Sequence, residues 1–122
     1  MNTIHNQSAL DISIFNRIDI NLYPLFIAIF ELKNISKSAQ SLYLSQSAAS
    51  HALQRLRVQL KDELFVRHGN QMLPTPFAEQ IYPTIKKALI SIQSVAVHHF
   101  SFDPSSIHSL KIAIHDEIEP LI

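Results

Sequence analysis

The sequence predicts a mainly α-helical fold: three helices, a β-hairpin, then one long helix and the start of a further unit. Three observations carry that expectation. Apolar residues recur at helical spacing between residues 21 and 60 and again from 77 to 96. The period drops toward two on both sides of Gly69, the only glycine in the chain. Residue types that cap helices stand just ahead of each helical stretch.

Residues 1–18 show no clean period and read as a lead-in with at most a short helical turn. From Asn21, the residues Leu22, Leu25, Phe26, Ile29 and Phe30 follow the i, i+3, i+4, i+7, i+8 rule for one helix face. Asp19 and Asn21 suit its start, and Pro24 falls in the first turn, where a missing N–H costs little. Asn34 suits a left-handed stop. Ser36 is the expected cap of a short second helix with Ala39, Leu42 and Tyr43 inward, Tyr43 reading as a core or rim aromatic. Ser45 opens a third helix through Ala49, Leu53, Leu56 and Leu60. Two helices joined so tightly, short then long, form a helix-turn-helix.

Residues 64–67 and 71–73 are strand-like, and the turn between them needs positive φ at Gly69, with Asn70 a second candidate. Three helices and a hairpin make a winged helix-turn-helix, expected over 19–75. Thr75-Pro76 is a strong helix start, with Glu79 in the first turn. The helix expected over 76–100 carries a stripe of Ile81, Ile85, Leu89, Ile92 and Ala96, and Pro83 inside it implies a kink or a late start. No helix remains to cover that stripe, so it is expected to be a linker helix that pairs with a partner. Residues 101–122 read as a hinge followed by a strand over 110–114 whose pairing strands are missing.

With 122 residues, 47% of them apolar and 16% charged, the chain has the length of one ordinary domain and can bury a core. Zero cysteines exclude disulfides, thiolate zinc sites and cysteine nucleophiles, and a single glycine excludes the glycine-rich phosphate loops. The apolar stretch within 22–32 is too short for a bilayer, and residues 1–10 lack the basic start and apolar core of a signal peptide. A cytoplasmic protein with no membrane partner is expected. Ten Lys+Arg balance ten Asp+Glu. The balance is uneven, because 33–67 hold six cations against two acids and 103–122 hold four acids against one lysine. A basic middle suits an anionic partner.

In order and residue choice, these motifs resemble the N-terminal part of the LysR-type transcriptional regulators. The matching residues are Asp19-Ile20-Asn21-Leu22, then Ser36-Lys37-Ser38-Ala39, where Gln40 replaces the usual second Ala. They continue through Leu44-Ser45-Gln46-Ser47-Ala48-Ala49-Ser50-His51-Ala52-Leu53 and Arg55-Leu56-Arg57 to Leu64-Phe65-Val66-Arg67 and Pro74-Thr75-Pro76. Ser-His-Ala-Leu, Phe-Val-Arg and Pro-Thr-Pro together are similar to the subgroup that includes the nodulation-gene regulators. The stretch 103–116 resembles the approach to that family's effector domain, so the chain would close on a stub of an α/β domain. The resemblance implies sequence-specific binding of double-stranded DNA by a homodimer, with a tetramer open to a full-length form. It implies a small-molecule co-inducer only where the whole effector domain is present, and no cofactor.

In a domain of this kind the start of the third helix enters the major groove. Gln46, Ser47, Ser50 and His51 are hydrogen-bonding residues placed there, and Ala48 is small enough for close approach. Gln pairs with adenine edges, Ser with several base edges, and an Ala methyl meets a thymine methyl. Ser45 serves equally as a helix cap or a DNA contact. Arg55 and Arg57 lie further along, where phosphate contacts are expected, although Arg57 equally suits a pair with Glu63. Ser36 and Lys37 begin the second helix, whose free N–H groups suit a phosphate. Arg67 and His68 at the wing tip suit phosphates or the minor groove, with an Arg67 pair to Glu63 or Asp62 as the alternative.

Seven histidines raise the question of a metal. His98 and His99 are neighbours, which on a helix point about 100° apart, and His108 and His115-Asp116 sit in no chelating motif. Neither a metal site nor a catalytic constellation is expected. A helical module that acts only by pairing with other regulator subunits is the competing reading, and salt-dependent binding to duplex DNA separates the two.

Overall fold

In the computed structural model the described residues are 9–100. Residues 1–8 of the lead-in, and the expected hinge, strand and histidines within 101–122, lie outside them. The lead-in holds one 3-10 turn, Ile12–Asn16, because the Asp11 carboxylate accepts from the Ser13 N–H and hydroxyl at 3.1 and 2.6 Å. Asp19 caps a second such turn, Ile20–Leu22, accepting from the Asn21 N–H at 2.9 Å. Asn21 therefore lies inside the turn and caps nothing. The turn runs straight into α1, Tyr23–Leu32, with Pro24 in its first turn as expected.

The junction after α1 departs from the expectation. Lys33, not Asn34, takes the left-handed position (φ 57), and its N–H donates to the Ile29 carbonyl at 2.7 Å. Asn34 is extended (φ −152) and caps α2, Ile35–Ser41, with its side chain accepting from the Lys37 N–H at 2.8 Å. Ser36 is thus inside α2 and does not cap it. The reason is partly tertiary: the Lys33 carbonyl accepts from the Met72 N–H at 2.9 Å, so the hairpin holds Lys33 at the turn. Asn34 is then the residue whose side chain can satisfy an orphan N–H.

Between α2 and α3, Gln46–Leu60, the chain turns through Tyr43 at φ 58, with the Leu44 N–H donating to the Ala39 carbonyl at 2.8 Å. Tyr43 is 80% exposed and so lies outside the core. The antiparallel hairpin pairs β1, Phe65–His68, with β2, Gln71–Pro74, in the register Phe65 to Pro74 and His68 to Gln71. Gly69 supplies the positive φ of its turn (64°), and Asn70 does not need one. Leu64 also has positive φ (66°), held by Asp62, whose carboxylate accepts from the Leu64 N–H and the Thr75 hydroxyl at 2.9 and 2.7 Å.

Thr75 caps α4, Pro76–Phe100, its hydroxyl accepting from the Ala78 N–H at 3.1 Å. The helix starts at Pro76 and continues past Pro83, so no late start occurs. The chain divides into two units between Ile85 and Lys86. In the first, Leu25, Phe26 and Ile29 of α1 meet Ala49, Leu53 and Leu56 of α3, with Leu64, Phe65 and Met72 closing the core from the hairpin. The Phe26 and Phe65 rings lie 5.5 Å apart, and Phe30 stacks on Tyr82 at 3.9 Å. Ser38 is fully buried but satisfied, donating to the Asn34 carbonyl at 2.8 Å. Ile81 and Ile85, expected to face a partner, also pack half-buried against this core. The described part of the second unit, 86–100, is helical and exposes Ile90, Ile92, Val95 and Val97.

Candidate nucleic-acid interface

The arrangement of α3 follows from which of its residues are apolar. Ala49, Leu53 and Leu56 are 0–2% exposed, which turns the opposite face to solvent. On that face Gln46, Ser47, Ala48, Ser50, His51, Gln54 and Arg55 are all exposed. Ser45 is the N-cap, with its hydroxyl accepting from the Ala48 N–H at 3.0 Å. Its hydroxyl thus serves the helix as a cap and keeps its O–H as a donor toward solvent.

Ser36 and Gln46 meet across the turn. The Ser36 hydroxyl donates to Gln46 Oε1 at 2.6 Å and both residues are exposed. Gln46 keeps its amide N–H groups and one carbonyl lone pair free of that bond, so its side chain is held in place without losing its ability to pair. Lys37 is exposed beside Ser36.

The arginines separate into three environments. Arg57 is structural: Nε donates to the Glu63 carbonyl at 2.8 Å, Nη2 to the Phe65 carbonyl at 3.0 Å and Nη1 to Gln54 Oε1 at 2.7 Å. Its Glu63 carboxylate pair is looser, at 3.8 Å. Arg55 pairs with Asp19 at 3.1 Å, the side chains 64% and 35% exposed, so the guanidinium keeps much of its surface in water. Arg67 on β1 is exposed and has no hydrogen-bond or ion-pair partner among the described residues. Asp62, offered as an alternative partner for Arg67, instead bonds Leu64 and Thr75, and Glu63 faces Arg57. His68 follows at the exposed hairpin tip.

Two of the clefts beside α3 meet at its exposed face. One, about 320 Å³, lies on the hairpin side and is lined by Ser50, Gln54, Arg57, Val66 and Arg67 among others. The other, about 500 Å³, lies on the lead-in side and includes Arg17, His51, Gln54, Arg55 and Val58. Gln54 lines both, so it marks the ridge of the helix between them. Sequence reasoning passed over Gln54, although its spacing of four from Ser50 carried the signal.

Similarity to known proteins points the same way. A sequence model of the family described as "Bacterial regulatory helix-turn-helix protein, lysR family" matches residues 20–79. Nodulation protein D 2 of Rhizobium tropici is 35% identical over 105 residues, which cover 85% of this chain and 33% of that protein. The chain spans about a third of the length of the curated relatives it matches. The crystal structure of a probable transcriptional regulator from Pseudomonas aeruginosa is similar with a TM-score of 0.64 and 42% identity, over 66% of this chain and 27% of that one. The BenM DNA-binding domain, solved in complex with its benA site 1 DNA, gives a TM-score of 0.61 over 70% of this chain and all of that one. At 21% identity that likeness shows the fold alone.

Proposed function

Because the chain belongs to the lysR family of bacterial regulatory helix-turn-helix proteins through the domain at residues 20–79, we propose that it binds double-stranded DNA in a sequence-specific way, as the DNA-binding part of a transcriptional regulator. The observation that carries this reading is the exposed row Gln46, Ser47, Ser50, His51 and Gln54 on the solvent face of α3. These are hydrogen-bonding side chains at the start of a helix that the core holds outward, the arrangement a major groove requires.

Gln46 and Ser50 read base edges, with Ser47, Ala48 and His51 beside them. Ser36 holds Gln46 in its reading position across a 2.6 Å hydrogen bond. Arg67, His68, Lys37 and the exposed part of Arg55 position the domain on phosphates without reading sequence. The described part of α4 beyond Ile85 serves dimerisation through Leu89, Ile92 and Ala96, residues 101–122 lead into an effector domain, and the protein works on DNA in the cytoplasm as a binding protein, not an enzyme. A co-inducer would be bound by that effector domain.

Selection of duplexes from a random pool tests the reading. The expected result is one recurrent motif, bound more tightly than its scrambled version and with affinity that falls as salt rises. Recovery of unrelated sequences, or the absence of duplex binding, would leave only the pairing-module reading.

A further inference from the structure

We propose that the lead-in before the helix-turn-helix adds a second phosphate-binding arm, with Arg17 meeting the DNA strand opposite the one met by Arg67. The inference rests on the proposed docking of α3 in a major groove and adds a contact outside the residues 20–79 that the family shares.

The geometry begins with Gln54, which lines the clefts on both flanks of α3. Arg67 stands on the hairpin flank and Arg17 on the lead-in flank. A helix in a major groove has a phosphate backbone along each side of the groove, about 12 Å apart. Two arginines on opposite flanks of such a helix therefore address opposite strands.

Arg17 is built for that role. The turn Ile12–Asn16 is tied down by its own hydrogen bonds, and Arg17 ends it with its backbone, the N–H donating to the Ile14 carbonyl at 3.0 Å. The side chain takes no part in that cap, is exposed, and has no ion-pair partner among the described residues. The one acid in its cleft is Asp19, whose carboxylate already holds Arg55 at 3.1 Å and the Asn21 N–H at 2.9 Å. Among the described residues, the cleft therefore presents Arg17 as a charge paired with no carboxylate. Two further hydrogen bonds fix Asp19, two residues after Arg17, to α3: the Asp19 N–H donates to Gln59 Oε1 at 2.8 Å, and Gln59 Nε2 donates to the Asp19 carbonyl at 3.5 Å.

The test measures salt dependence of binding to the selected duplex for the parent chain, Arg17→Ala, Arg67→Ala and the double variant. Each single variant is expected to flatten the log–log slope by about 0.9, and the double variant by about 1.8, because each arginine releases one condensed counterion. Between about 50 and about 200 mM salt, each single variant should lose about 3.5-fold less affinity than the parent does. Arg17→Lys should restore the parent slope. Duplexes with single neutral methylphosphonate linkages then locate the contacts: one strand's sensitivity should vanish in Arg17→Ala and the other's in Arg67→Ala. An unchanged slope in Arg17→Ala, with a flatter one in Arg67→Ala, would overturn the second arm and leave the α3 reading standing. Both sensitivities on one strand would overturn the opposed arrangement. A parent chain that binds no duplex would remove both readings together.

Discussion

Replacing Arg57 by Met should destabilise the domain without changing the salt dependence of its DNA binding. The guanidinium donates to the Glu63 and Phe65 carbonyls and to Gln54 Oε1, at 2.8, 3.0 and 2.7 Å, and so ties α3 to the hairpin. A hydrogen bond with one charged partner contributes about 1.5–3 kcal/mol when well shielded. The Gln54 bond lies at the surface, and the Arg57 side chain is 27% exposed, so water replaces part of what is lost. The Glu63 carboxylate at 3.8 Å is 73% exposed and contributes close to nothing. A net cost of about 2–3 kcal/mol remains, most of it from the Phe65 carbonyl left half-shielded. For a domain of this size that lowers the melting temperature by roughly 8–24 °C. Met keeps the aliphatic stem, so the loss reports on the hydrogen bonds and not on packing. Thermal unfolding followed by circular dichroism gives the stability, and salt titration of DNA binding on folded protein gives the contact. An unchanged melting temperature with a salt slope reduced by about one would refute the reasoning and make Arg57 a phosphate ligand.

Three further outcomes are expected. Asn34→Ala removes the cap of α2 and should cost about 1 kcal/mol in unfolding experiments, whereas Ser36→Ala should leave stability unchanged and weaken binding to the preferred duplex only; the reverse pattern would return the cap to Ser36. Gly69→Ala has open space for its methyl but must hold φ 64, so a loss of about 1–2 kcal/mol is expected, with Asn at this position costing less; a neutral Ala would mean that the turn relaxes. Leu89→Glu in the proposed pairing stripe should convert a sedimenting dimer to monomer by placing an unpartnered carboxylate in an apolar contact, and a parent chain that is already monomeric at tens of micromolar contradicts the stripe.

The parts of the fold set by local chemistry were legible in the sequence. Ser45 and Thr75 cap their helices through their own hydroxyls, Gly69 takes the positive-φ position of the hairpin turn, and the spacing of Ala49, Leu53 and Leu56 orients α3. What stayed hidden depends on distant partners. Lys33 takes the left-handed position expected of Asn34, and Asn34 the cap expected of Ser36, at the α1–α2 junction, where a Met72 N–H from the hairpin holds the Lys33 carbonyl. Arg57 finds backbone acceptors six and eight residues away, which no helical spacing reveals. Ile81 and Ile85 continue an apolar stripe in sequence and place part of their surface against the domain's own core. The exposed face of α3 was readable because burial of one face dictates the other. The Ser36–Gln46 bond was not, because it requires the tight turn between the helices to be known first.

Competition binding with Gln46→Ala and Ser50→Ala tests the central claim most directly. If the exposed face of α3 reads base edges, each substitution should cost about 1–3 kcal/mol on the preferred duplex and little on random DNA, so that the preference itself shrinks. Equal losses on both duplexes, or none on either, would contradict base reading by α3.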